Sequence, residues 1–441
     1  MRDIRFIMKL ALPAIAEMIL HMMVGLVDIA MVGRLGADSL TAVSLGSQYL
    51  WTMIFLFASV GIGAGAIVAR AVGAENYEEA GRIAGQVIAI TIIIGAIILA
   101  LSWTFAPNIY DLFAPNQLVK TLGVKYLRIL SISTVFFLVL LVGEAVCRSA
   151  GFTQIPLKVA LVGNTINIIL DYVLIFGKLG FPALGVPGAA MATAISYTIS
   201  CIIIVFVLFS GRIPIKIKIN DIFPLRRETF ARIMKLSIPA GAEELVRASS
   251  NLVSIYLIVG LGSVSYAAHQ VAHSVESISF MPGFGFGIAA GALVGQSLGA
   301  LKPERAERLA LKTLYLAAGT MTAAALGFFL LSTPLVKVFT NDLSIIPIAA
   351  SVIKIAAFAQ TSIAVELVLA GALRGAGDTR FPMCLSLLGN WVIRIPLFFA
   401  VLHVFHMGLT AVWWVTVFQW FVMAVLAFWR FKQGKWKRII V

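Results

Sequence analysis

Charge is what this chain has least of. Asp, Glu, Lys and Arg make up only 12% of 441 residues, while 60% are apolar. That is far more hydrophobic surface than one water-soluble core can hide, so an ordinary soluble protein is excluded and the chain belongs in a bilayer. Cysteine is nearly absent too. Cys147, Cys201 and Cys384 lie in or beside apolar runs without metal-like spacing, which excludes a disulfide framework and a zinc cluster. Polar stretches long enough for a separate soluble domain are missing. The one long linker, 212–228, carries Pro214, Pro224 and mixed charge.

What is abundant is the apolar run. A helix of about 20 apolar residues crosses a hydrocarbon core, and twelve such spans are predicted. They are 8–32, 42–69, 83–106, 122–147, 157–177 and 187–209, then 231–259, 268–298, 308–331, 348–373, 381–402 and 408–429. The first has a basic flank, but it is too long for a signal-peptide core and has a copy later on, so it is expected to be retained.

That copy reveals the organisation. Ile7-Met8-Lys9-Leu10-Ala11-Leu12-Pro13-Ala14 recurs as Ile233-Met234-Lys235-Leu236-Ser237-Ile238-Pro239-Ala240, an offset of 226 residues from Pro13 to Pro239. In the same register Glu17 falls on Glu243, Gly61 on Gly287 and Gly73 on Gly299. Much later, Arg148-Ser149-Ala150-Gly151-Phe152-Thr153-Gln154-Ile155-Pro156 falls on Arg374-Gly375-Ala376-Gly377-Asp378-Thr379-Arg380-Phe381-Pro382. Two copies of one unit follow. Six spans per copy is an even number, so both copies enter the membrane in the same direction, as a parallel pseudo-two-fold repeat. The expected fold is therefore an all-α integral membrane protein. Its expected divisions are an N-lobe at 1–211, a cytoplasmic linker at 212–228 and a C-lobe at 229–441.

Basic residues orient it. Arg70, Arg82, Arg148, Lys302, Arg305, Arg308 and Arg374 sit in or beside connections that follow even-numbered spans, with more in the linker and at both ends. Odd connections carry few. The positive-inside rule then places both termini and the linker in the cytoplasm. The net charge of +14 is accounted for by this topology, and a nucleic-acid partner is not expected.

Charged or amide side chains inside the hydrocarbon are costly and need a partner or a task. In the first span Glu17, His21 and Asp28 share one face at 100° per residue, and in the fifth Asn164, Asn167 and Asp171 share another. Thr193 in the sixth adds an oxygen. Together they offer a hard, oxygen-lined site for a cation or proton. Asn164 recurs as Asn390 and equally suits helix packing. Asp28 and Asp171 stand where the second copy has Ser254 and Leu397, so the scaffold requires neither acid. Glu17 recurs as Glu243 and reads as a shared structural residue. The second copy has its own polar set: Glu243, Glu244 and Arg247, then His269, His273 and Glu276, then Glu366 and Arg394. Glu243 and Arg247 are spaced to neutralise each other. Arg394 is expected to pair with Glu366 or Glu244. The two histidines read as cavity lining rather than metal ligands. Pro282 and Gly283 open a glycine-rich run that reads as helix packing or as a bend.

The pattern Leu12-Pro13, Val27-Asp28, Gly33-Arg34-Leu35-Gly36, the repeated Arg-x-Ala-Gly-x-Thr-x-x-Pro motif and Asn167-x-x-x-Asp171 resembles the MATE family of multidrug and toxic compound extrusion transporters. The resemblance covers essentially the whole chain. It implies a two-lobe antiporter that exports cationic amphipathic compounds in exchange for H⁺ or Na⁺; a monomer among membrane lipids, with no cofactor beyond that coupling ion, is expected. Carried over, the family's N-lobe site falls on Asp28, Asp171, Asn167 and Thr193, and its C-lobe acids on Glu243 or Glu244 and Glu366. This chain has both sets, which leaves the coupling lobe open. A prokaryotic inner membrane is the expected location. The alternative, a flippase for a lipid or lipid-linked oligosaccharide, calls for a cavity rich in Arg and Lys. An enzyme is not expected, because no nucleophile, base or metal set converges.

Overall fold

The computed structural model describes residues 2–439 and 441. Among the described residues there is no strand, and helices fill nearly all of the chain. The long ones are α1 (Arg2–Gly33), α2 (Ala37–Gly73), α3 (Tyr77–Phe113), α4 (Gln117–Ile132 continued by Thr134–Ser149), α5 (Gln154–Phe176) and α6 (Val186–Phe209). The second copy gives α7 (Arg227–Val259), α8 (Ser263–Gly299), α9 (Pro303–Leu330), α10 (Ile346–Gly375), α11 (Arg380–Val404) and α12 (Leu409–Lys432). The two parts of α4 meet at 49°, at Ser133, whose hydroxyl donates to the Leu130 carbonyl at 2.7 Å.

All twelve predicted spans are present. Ten are long and apolar enough to cross a membrane and bent α4 is an eleventh. The twelfth, α7, has the length, but Lys235, Glu243, Glu244 and Arg247 dilute its hydropathy. Most helices outrun the predicted spans because hydropathy marks only the hydrocarbon-facing part. Their ends are set by local chemistry beyond it. Asn76 and Asn116 cap the starts of α3 and α4 by accepting from the backbone N–H of Glu79 and Val119. Gly177 ends α5 with φ +67°, a left-handed conformation that favours glycine.

The chain forms two compact units. One comprises Ala16–Ser237, and the other Met1–Ile15 with Ile238–Val441. Helices α1 and α7 therefore each contribute to both, and the change of membership falls beside Pro13 and Pro239.

Within each unit, small residues let helices approach backbone to backbone. In the second, α8 meets α10 so closely that a methyl on Gly371 would lie 2.3 Å from the Gly287 carbonyl oxygen. One on Gly375 would lie 2.1 Å from that of Gly291. The first unit repeats the contact in register, with Gly61 against Ala145 and Gly65 against Ser149. This is small-xxx-small packing, which replaces the hydrophobic drive that lipid does not supply. Helix α8 continues through Pro282, and Gly283 faces Leu367 and Met321.

The linker is anchored rather than loose. The Gln86 amide of α3 donates to the carbonyls of Asp221 at 2.8 Å and Pro224 at 3.1 Å, and accepts from the Arg226 N–H at 2.7 Å. A buried amide with its partners satisfied in this way fixes the segment in one place.

Candidate functional site

The polar stripe of α1 is divided between two sites of the first unit. Asp28, half-buried, adjoins Asp171 of α5, and the two carboxyl groups are close enough to interact directly. Asp171 and Asn167, one turn apart, are both buried. Asn167 donates to the Thr193 hydroxyl at 3.5 Å, and that hydroxyl donates in turn to the Ala189 carbonyl at 3.0 Å. Both Asp171 oxygens, Asp28 Oδ1 and Asn167 Oδ1 are buried with no donor. Asn164 Nδ2 lacks an acceptor. The structure thus gathers Asp28, Asp171, Asn167 and Thr193 as the spacing predicts.

Two tyrosines that the polar-residue count passed over complete the surroundings. Tyr126 and Tyr197 both lie within electrostatic range of Asp28 and Asp171. Tyr126 shares a 2.8 Å hydrogen bond with the Ser47 hydroxyl. Tyr197 also lines a small cleft with Ser47, Leu50, Trp51, Thr134 and Phe137. There Phe137 stacks on Tyr197 with centroids 4.1 Å apart and meets Trp51 edge-on at 5.5 Å. Aromatic faces carry negative charge density and attract cations that also have an apolar body.

Bare carboxylate oxygens in a dry site are expensive unless a cation or proton compensates them. Asp28, Asp171, Asn167 and Thr193 supply oxygens of the kind that hold a hard monovalent ion. The same two acids, once neutralised, lose their attraction for an organic cation. Exchange of one for the other is what this geometry can do.

The second unit builds something different from its acids. Glu243 is buried and lies 2.5 Å from Arg374 and 3.1 Å from Arg247, which also reaches Glu244 at 3.6 Å. Glu366 is buried within electrostatic range of both arginines. The expected pairing of Glu243 with Arg247 exists, but Arg374 makes the shorter contact. The first unit has the same bridge at the repeat positions, with Arg148 2.5 Å from Glu17 and 3.6 Å from Glu144. Arg148 and Arg374, counted among loop charges from their position in the sequence, are thus half-buried partners of buried acids. Glu144 had a legible signal that the sequence reading passed over: an acid in an apolar run one turn before Arg148.

The expected partners of Arg394 need correction. Its electrostatic neighbours are Glu276, His269 and His273, and its guanidinium sits 5.6 Å from the Phe398 ring centroid. The physical reason is the π-helical turn at Leu388–Arg394. It breaks the rotation of 100° per residue from which a face is deduced. The His269 and His273 rings lie 6.2 Å apart, His269 against Trp413 at 5.6 Å.

Comparisons with known proteins agree with the repeat. The sequence model of the MatE family matches residues 13–173 and again 239–400, starting at Pro13 and at Pro239. "Probable multidrug resistance protein NorM" of Thermotoga maritima is 30% identical over 434 residues, covering 98% of this chain and 93% of that one. "Multidrug resistance protein PmpM" of Pseudomonas aeruginosa is 27% identical over 406 residues, 89% and 83% of the two chains. Among solved structures, one described as the outward-facing conformation of a multidrug resistance MATE family transporter superposes with a TM-score of 0.90 at 22% identity. It covers 98% of this chain and is itself covered to 97%. A MOP superfamily transporter from Pyrococcus furiosus gives the same score and identity, with 98% and 95% coverage. Twelve membrane helices, a 226-residue repeat and a family match over both copies make this chain a member of the MatE family.

Proposed function

We propose that this chain is a secondary-active efflux antiporter of a prokaryotic plasma membrane, its termini cytoplasmic, exporting cationic amphipathic compounds in exchange for H⁺ or Na⁺. One observation carries the reading. Two adjoining acids with uncompensated oxygens lie beside the Trp51, Phe137 and Tyr197 ring cluster. The aromatic faces suit the apolar body of a substrate and the acids its charge. Relatives bearing the name multidrug resistance protein support the substrate class. The bare Asp171 and Asn167 oxygens support Asp28, Asp171, Asn167 and Thr193 as the coupling site. Glu243, already bridged to two arginines, is assigned to the scaffold.

Binding of the coupling ion and of the organic cation compete for the same negative charge, and alternating access turns that difference in affinity into direction. Ethidium transport into inside-out vesicles tests this. A pH or Na⁺ gradient is expected to drive uptake, and Asp171→Asn to reduce it about tenfold or more, the effect of losing about 1.4 kcal/mol of attraction for the cation. Uptake indifferent to both gradients overturns the antiport reading. Undiminished coupling in Asp28→Asn and Asp171→Asn overturns the site.

A further inference from the structure

The other half of the α1 stripe forms a second site. Glu17 and His21 of α1 and Glu144 of α4 each bring one ligand atom to a common point, all within 4.8 Å of one another. Glu17 is 0% and Glu144 1% exposed, and Glu17 Oε2, Glu144 Oε1 and His21 Nε2 have no hydrogen-bond partner. Arg148 closes the group through its contacts to both glutamates. From α1 the groups acting on the cluster are Glu17 and His21. From α4 they are Glu144, Cys147 and Arg148. Asp28 lies seven residues further on, about 10 Å along the helix.

The repeat shows what this cluster lacks. In the second unit the buried acids Glu243 and Glu366 face two permanent cations, Arg374 and Arg247, with half-exposed Glu244 at the edge. In the first unit the acids Glu17 and Glu144 face Arg148, which stands at the position of Arg374. The position of Arg247 is taken by His21. A neutral imidazole there leaves the cluster one positive charge short of its counterpart. One proton gives the two buried acids two positive charges to face, as Glu243 and Glu366 have; a divalent metal gives three.

We propose that Glu17, His21 and Glu144 form a proton-binding site, separate from the Asp28–Asp171 pair, that takes up one proton shared between the His21 ring and the facing glutamates. Imidazolium facing carboxylate and neutral ring facing carboxylic acid are two forms of that one-proton state, and the ring reports its loss in either. The site does not depend on the antiport reading.

Histidine ¹⁵N NMR on the full chain in nanodiscs tests it, with the His21 signal identified by its loss in His21→Gln. The wild-type signal is expected to move in a single step between about pH 5 and pH 9. Glu144→Gln is expected to shift or remove that step by about one pH unit or more, and Asp171→Asn to leave it in place. A His21 signal constant across the range overturns the proposal, as does a step unchanged by Glu144→Gln. Saturable Zn²⁺ binding that His21→Gln removes would assign the cluster to a metal and also overturn it. Any of these failures leaves the vesicle experiment on Asp28 and Asp171 unaffected.

Discussion

At the scale of single residues, the two copies differ in what they do with buried charge. Where they agree, as with Glu17 and Arg148 against Glu243 and Arg374, the pair is scaffold. Removing one partner of such a bridge strands the other in a dry site, at a cost of about 3–5 kcal/mol. Arg374→Ala leaves Glu243 its contact to Arg247 and is expected to cost less than Arg148→Ala. The latter strips Glu17 and Glu144 of their cation and is expected to show the full loss of stability in detergent, read from denaturant titration. A loss below about 1 kcal/mol in Arg148→Ala, the range of exposed pairs, would show that water reaches the bridge. Unpaired atoms remain at Asp28, Asp171 and His21, where the copies disagree, and on Glu17 at Oε2, the oxygen that Arg148 does not take. Most of this was legible in the sequence because an acid in an apolar run is conspicuous at any register. The pairing of Arg394 was not, since a π-helical turn changes the face without leaving a mark in composition. Tyr126 and Tyr197 were also hidden, as tyrosine in an apolar helix looks like ordinary core.

At the scale of helices, the contact of α8 with α10 depends on having no side chain on either glycine pair. Gly371→Ala forces a methyl toward the Gly287 carbonyl, so α8 and α10 must part. Overpacking of this kind costs about 1–3 kcal/mol. Gly319 of α9 has nothing within 4 Å of an added methyl, so Gly319→Ala is the matched control. The thermal midpoint is expected to fall in the first variant and to hold or rise in the second. Equal midpoints would mean that α8 and α10 do not touch through these glycines. Apolar run length located the helices; their caps and the bend of α4 depend on single residues such as Asn116 and Ser133, which hydropathy averages away.

At the scale of the molecule, the repeat and the distribution of basic residues lead to an expected topology before any contact is known. Both ends and the linker are expected on the cytoplasmic side. A cysteine placed at Glu228 or Lys435 in an otherwise cysteine-free chain is expected to react with a membrane-impermeant maleimide in inside-out vesicles and not in intact cells. Labelling of intact cells at either position would reverse the orientation. Repeat register also gives a way to sort positions, because a residue present in both copies is explained at least in part by the fold they share. What it did not reveal is the division of α1 and α7 between the two units beside their prolines, which is a property of packing alone.

The central claim is that Asp28 and Asp171 are where a coupling ion and an organic cation exclude each other. Purified protein in proteoliposomes, loaded with ethidium and given an outward-directed or inward-directed pH or Na⁺ gradient in turn, measures it most directly. Gradient-driven transport in the wild type, with ethidium movement that no longer follows the gradient in Asp171→Asn, is the expected result. Transport by Asp171→Asn that follows the gradient as well as the wild type does would contradict it.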